Sequence, residues 1–199
     1  VPQRDRVEQR RVDGDAGAYP LLWLDGIELN GQDRTGSEYH VVGLGTFTGL
    51  SADMGLAAGM AAVRRQGGLL ILAHPFWTGN TLADALRHHF DGVEVYNHVC
   101  HWLNGKSDGR VHWNALLARS PGALAVASDD SHLRPEHPLW NGGWIKVNTA
   151  ECSREAVGAA LRAGNFFSSR GPDFVSLTAS GRRVTVETSP VRFIRLVGP

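Results

Sequence analysis

The stretch LLILAHPFWTGNTLADALRHHFDGVEVYN, Leu69 to Asn97, decides how the chain is read. An uninterrupted apolar run, Leu69 to Ala73, ends at His74-Pro75; a segment with helical spacing, Thr81 to Phe90, follows; a second apolar run, VEVY from Val93, closes the unit. Runs this short and continuous are the mark of strands buried on both faces. The pattern extends outward. Before it lie LLWL from Leu21, GIEL from Gly26, YHVVGL from Tyr39 and a helical segment from Met54 to Gln66. After it come a helix over Asp108 to Arg119, with Val111, Leu116 and Leu117 on one side, and the run ALAVA from Ala123. Strands alternating with helices predict an α/β fold with a buried parallel sheet.

WIKV from Trp144 then leads to a helix capped by Ser153, with Glu155 in its first turn, an apolar face of Ala156, Val157, Ala160 and Leu161, and Gly164 as its stop. Past Pro172 the pattern changes to FVSLTAS, a GRR turn, VTVET and FIRLV, read as short strands. The expected division is a polar tail or interrupted loop over 1–20, with order beginning near Leu21, an α/β portion over 21–172, and the start of a C-terminal β extension over 173–199. No internal repeat is present.

Across the 199 residues, 20 Lys and Arg balance 20 Asp and Glu, so no basic excess favours a nucleic-acid partner. An apolar content of 42% rules out disorder of the whole chain. The longest apolar run falls far short of the ~20 residues that span a bilayer. The first 19 residues hold no apolar core of a secretory signal, and with no initiator Met the true N-terminus is expected to lie upstream. Cys100 and Cys152 form neither a disulfide framework nor a CxxC pair. A cytoplasmic protein acting on a small molecule, without nucleic acid or membrane, is expected.

Five polar residues lie on or beside strands. Glu28 lies within GIEL, His40 opens HVVGL, His74 ends LLILAH, and Asp130 and His132 end ALAVASDDSH as a DxH pair. A charged Glu inside a strand needs a partner. Carboxylate and imidazoles on converging strand ends form a ligand set for zinc, manganese or iron. Glu28, His40 and His74 are expected to meet on one ion, and Asp130 and His132, on the same side of an extended segment, to border the same cavity as His74. Arg170, in SSRGP, has the planar fork to hold a phosphate or else sits as a surface residue in a turn. Glu94 and Asn97 in VEVYN read as residues that orient the ligands, and His98, Cys100 and His101 as structural. The six Trp, Trp77 and Trp144 among them, read as core or rim packing. No GxSxG, P-loop or Cys-nucleophile motif competes, so no protein nucleophile is assigned.

The segments GIEL, HVVGLG, LLILAHPFW, GVEVYN, AVASDDSH, GGWIKV and ALRAGNFFSSRGP, in this order, resemble the successive motifs of the PHP (polymerase and histidinol phosphatase) family, in particular its bacterial phosphoesterase-like branch. The resemblance spans about Leu21 to Pro172. It implies a distorted, TIM-like β/α barrel, here partial with a small C-terminal β appendage, and a metal-dependent phosphoesterase acting on a small phosphate ester. It places Glu28, His40 and His74 at one divalent ion, with Glu28 as a bridging carboxylate, Asp130 at a second and His132 at a third. The family's HxH, SDG and TDH motifs should precede GIEL, yet no histidine occurs before His40. Asp130 and His132 are thereby left without co-ligands. A fragment of a longer protein is expected, with little or no phosphatase activity by itself. The alternatives are a metal-dependent hydrolase of a non-phosphate bond and a degenerate, non-catalytic binding domain.

Overall fold

The computed structural model describes residues 4–5, 9–12, 19–51, 54–132 and 139–197. Alternation of side chains builds its main sheet. In β4 (Gly26–Gln32) Ile27 and Leu29 are buried while Glu28 and Asn30 point the other way, and in β5 (Glu38–Leu44) Tyr39 and Val41 are buried while His40 and Val42 alternate with them. The two strands form an antiparallel hairpin with Asn30 opposite His40 and Glu28 opposite Val42. Its turn is held by Asp33, whose Oδ1 accepts from the backbone N–H of Thr35 and Ser37. β6 (Leu69–Leu72) joins β5 antiparallel, and β7 (Gly92–Asn97) and β8 (Leu124–Ser128) continue in parallel. β1 (Arg4–Asp5) adds to the free edge of β4.

The buried side chains of this sheet meet three helices. α1 (Leu56–Arg65) contributes Leu56, Met60 and Val63, α3 (Leu82–Ala85) Ala85, and α5 (Arg110–Arg119) Leu116, to one cluster with Ile27, Leu29, Tyr39, Val41, Leu70, Leu72 and Val93. Full burial of each such side chain is worth ~1.5–3 kcal/mol. Close approach of α1 relies on two glycines: a Cβ on Gly59 would stand 3.1 Å from Leu29, and one on Gly43 3.0 Å from Val63. The other sheet face carries no helix of this cluster.

The structure corrects the expected architecture. The order β1-β4-β5-β6-β7-β8 is linear, so no barrel closes. Closure requires the edge strands to share hydrogen bonds. Instead β9 (Trp144–Val147) and β10 (Phe166–Ser169) pair with each other in a separate two-stranded sheet. The sheet is mixed, not parallel. Between β5 and β6, α1 starts at the far end, where Leu56 lies against Gly31, and returns to put Val63 beside Gly43 and Gly68. β6 therefore starts where β5 ends, Leu69 opposite Leu44.

Smaller differences follow the same logic. The helix expected over Thr81 to Phe90 shrinks to α3, closed by a Thr81–Asp84 capping box. Arg87 leaves it to bind Asp33 at 3.0 Å and Asp84 at 2.7 Å, and Asp91 accepts from the Leu70 N–H. Two helices were not expected: α2 (Pro75–Thr78) and α4 (His98–Asn104), the latter capped by Asn97. α6 (Arg154–Arg162) is capped by Ser153 and followed by left-handed Gly164, as the sequence predicts. The expected tail carries strands: β2 (Gln9–Val12) pairs with β3 (Tyr19–Leu22), which takes in only the first two residues of LLWL. The rest of that expectation, over 1–3, 6–8 and 13–18, lies outside the described residues. β11 (Phe174–Ser180) and β12 (Arg183–Thr188) form the predicted hairpin, but FIRLV pairs with no described strand and stays exposed. No described helix is long and apolar enough to cross a membrane.

Candidate metal centre

On the uncovered sheet face, Glu28 of β4 and His40 of β5 are diagonal neighbours, and the His40 Nδ1–H donates to Glu28 Oε1 at 2.7 Å. β6 ends beside them: the Ala73 N–H donates to the His40 carbonyl, and the next residue, His74, adopts a left-handed backbone with φ 24° and ψ 57°. This conformation is costly for a side chain with a Cβ. It turns the nearly buried imidazole inward, with Nε2 3.6 Å from Glu28 Oε1. The donor atoms of Glu28, His40 and His74 all lie within 4.8 Å of one another, so the group could hold a metal ion.

The surrounding residues orient these donors. Thr78, in α2, donates its hydroxyl to the His74 carbonyl and lies 3.2 Å from His74 Nδ1. With the Thr78 proton so used, Nδ1–H donates to Oγ1, which leaves Nε2 as the ring nitrogen that faces Glu28. Such partners fix tautomer and ring orientation at metal sites. Below His74 lies the buried carboxylate of Glu94, at the middle of β7. It accepts from the His74 N–H at 2.7 Å, from Asn97 Nδ2 at 2.9 Å and from the Ser128 hydroxyl. Asn97, fully buried, also donates to Asp130 Oδ2 at 3.1 Å and accepts from the Cys100 N–H. One side chain thus ties β7, the start of α4 and the loop after β8 together.

That loop separates its two aspartates. Asp129 turns away and accepts from the N–H groups of Asn141, Gly142 and Gly143 at 2.6, 2.8 and 2.9 Å. Asp130, at φ 50°, points into the site, its Oδ2 4.0 Å from His74 Nε2. His132 is exposed, and its Nδ1–H donates to the Asp130 carbonyl. Both line the same cavity of about 220 Å³ as Glu28, His40 and His74, but neither belongs to the close three-donor group. A second cavity of about 320 Å³ opens beside it along the uncovered face, past Val42, Ile71 and Val126 to Glu94 and Ser128.

Charge here is unbalanced. Hydrogen bonds from His40 and His74 bring the Glu28 carboxyl down to about 2. Burial pulls against protonation of His74, yet Glu28, Glu94 and Asp130 hold its pKa above the ordinary value. Burial pushes Glu94 upward against its three donors. It also raises Asp130, with Glu28 adding to the rise and Asn97 and His74 opposing it. Three carboxylates therefore converge on two imidazoles, and no Lys or Arg is found among the described residues lining either cavity. The mixed Glu and His donor set, with this surplus of negative charge, fits a divalent cation. The Cys100 thiol, pushed up to about 12 by burial, stays protonated and is no thiolate donor.

Arg170 stands elsewhere: its guanidinium lies 4.1 Å over the Tyr96 ring, outside both cavities. His98 and His101 occupy the first turns of α4, with His98 Nδ1 3.1 Å from the Tyr96 hydroxyl. Sequence reasoning missed Thr78, Ser128 and the place of Trp77, whose ring meets His40 and His74 edge-on at centroid distances of 5.6 and 5.2 Å. The available signal was HPxxT, which places Thr78 one turn beyond His74 once α2 is recognised. The chain matches no protein-family model and no curated protein.

Proposed function

We propose that this chain is a metal-dependent hydrolase whose ion is held by Glu28, His40 and His74. The reading rests on one observation, the convergence of these three donors within 4.8 Å on the uncovered sheet face. Three protein ligands with an open position is the arrangement of catalytic rather than structural sites. When bound, a zinc, manganese or iron ion supplies Lewis-acid activation of water and of the scissile group. Asp130, outside the three-donor group and fixed through Oδ2 by Asn97, faces the open side. There it takes the proton of an attacking water, a task suited to a carboxylate whose pKa is raised by burial. Thr78 and Glu94 hold His74 in place throughout.

Phosphate esters are the first substrate class, from the motifs similar to those of PHP phosphoesterases. A non-phosphate bond is a second reading, favoured by one feature: the described lining offers no Lys or Arg to neutralise a phosphate, and Arg170 is engaged on Tyr96. The test loads the chain with zinc or manganese and presents 4-nitrophenyl phosphate and 4-nitrophenyl acetate. Hydrolysis of the phosphate, abolished by His74→Ala and by chelation, supports the first reading; hydrolysis of the acetate alone supports the second. Metal binding with neither turnover above the His74→Ala background would leave a binding domain and reject catalysis.

A further inference from the structure

The cavity above the three donors has two unlike sides. Its polar lining is Glu28, Asn30, His40, His74, Asp130 and His132; the rest is apolar. One wall is Trp77. Because α2 begins at Pro75, directly after His74, the indole is carried back over both imidazoles, touching each edge-on while remaining 41% exposed. More of the apolar lining comes from α4. Val99 and Leu103 stand one turn apart and so share a helix face, with Cys100 between them. Leu103 is 56% exposed, although both residues line the cavity. Trp77 and Leu103 are thus exposed apolar side chains of one charged cavity, and a ligand seated there would take water from both.

Resting on the hydrolase reading above, we infer that the site takes a substrate whose scissile group carries a flat apolar substituent, such as an aryl ester, seated against Trp77 and Leu103. The volume sets the scale. About 220 Å³ lies below the ~300–1,000 Å³ of pockets for drug-sized ligands. A single ring with its ester head matches this space. The planar indole contributes dispersion and edge or face contacts to a ring, with little entropy lost on binding.

The test reads binding and needs no turnover. The full chain is first titrated with zinc, which checks the metal centre alone. The zinc-loaded protein is then titrated calorimetrically with benzohydroxamate and acetohydroxamate, which share a metal-binding head and differ in the ring. The expected preference for benzohydroxamate is about tenfold, or ~1.4 kcal/mol, beyond the ratio that Trp77→Ala retains. Any intrinsic difference between the two chelators cancels in that comparison. Trp77→Phe should keep most of the preference and Leu103→Ser should lose part of it, with zinc affinity unchanged in all three. Zinc binding with the same benzohydroxamate to acetohydroxamate ratio in wild type, Trp77→Ala and Leu103→Ser would overturn the aryl site and leave the metal centre standing. Failure to bind zinc would overturn the metal centre and the aryl site with it.

Discussion

The two faces of the central sheet are written by the same strands, one residue out of step. Val41 is completely buried against the helices while His40 and Val42 beside it face the open side, and Leu72 is sealed in the core two residues before His74. The covered face holds apolar side chains without strain, and its contribution to stability comes from area removed from water. The open face holds a left-handed histidine, a fully buried carboxylate and a second left-handed residue, Asp130. Each of these costs stability by itself. Folding is driven on one face, and the strain that shapes the site is carried on the other.

Substitutions that separate the faces test this contrast. The largest effect is expected from Leu72→Ala, which opens a cavity in the covered face and should lower stability by ~2–5 kcal/mol in denaturant unfolding. Zinc affinity per folded molecule should stay within a few fold; a selective loss of metal binding would show that the faces are not independent. His74→Ala should do the reverse. Removing a donor is expected to weaken zinc binding by more than the ~100-fold upper range for an orienting partner, while the metal-free protein loses less stability than with Leu72→Ala, the Cβ of Ala leaving the left-handed cost in place. A fall in stability like that of Leu72→Ala would place His74 in the core.

Glu94→Gln comes next, with a loss of roughly 10–100-fold in zinc affinity. The amide has one acceptor oxygen for three donors, and both the His74 backbone and Asn97 depend on that carboxylate. Thr78→Val, which removes only the partner of His74 Nδ1, should cost about tenfold, the low end of the same range. Calorimetric titration with zinc orders the three.

The gentlest probe is pH. In the metal-free chain His74 has a folded pKa raised above its usual 6.5, so its contribution to stability is fully present below 6.5 and is lost as pH rises through the folded value. Glu28 has a folded pKa of about 2, against 4.5, so its contribution is present above 4.5 and is lost as pH falls toward 2. Zinc competes with the His74 proton. Its affinity should therefore climb across the same rise in pH that removes His74 stabilisation from the metal-free protein, and thermal melts with and without zinc should diverge there. Parallel melts would show that His74 is not a donor.

Much of this was legible in the residues. The apolar runs from Gly26, Tyr39, Leu69, Val93 and Ala123 are the strands β4 to β8 in place and order along the chain. Glu28, His40 and His74 stood out because a polar residue in or at the end of such a run has no packing role. Strand direction was not legible. A helix between β5 and β6 promised a parallel pair, but α1 starts back at the far end of the sheet beside Gly31, and no periodic pattern in the sequence before it signals that direction. Helices α2 and α4, four and seven residues long, hold too few turns to show a period. FIRLV has strand chemistry, yet a strand also needs a partner, and among the described residues it pairs with none.

By itself the sequence determined which residues are apolar at which period, and hence the elements, the buried face and the three donors that cannot belong to it. Those properties depend on neighbours one to four residues away. The linear sheet, the split between Asp129 on the Asn141–Gly143 loop and Asp130 in the cavity, the hold of Glu94 on His74, and the meeting of Trp77 and Leu103 in the lining of one cavity were decided by tertiary structure alone. Each depends on where distant segments meet, and hydrogen-bond geometry and close packing select that meeting only when the whole chain is folded.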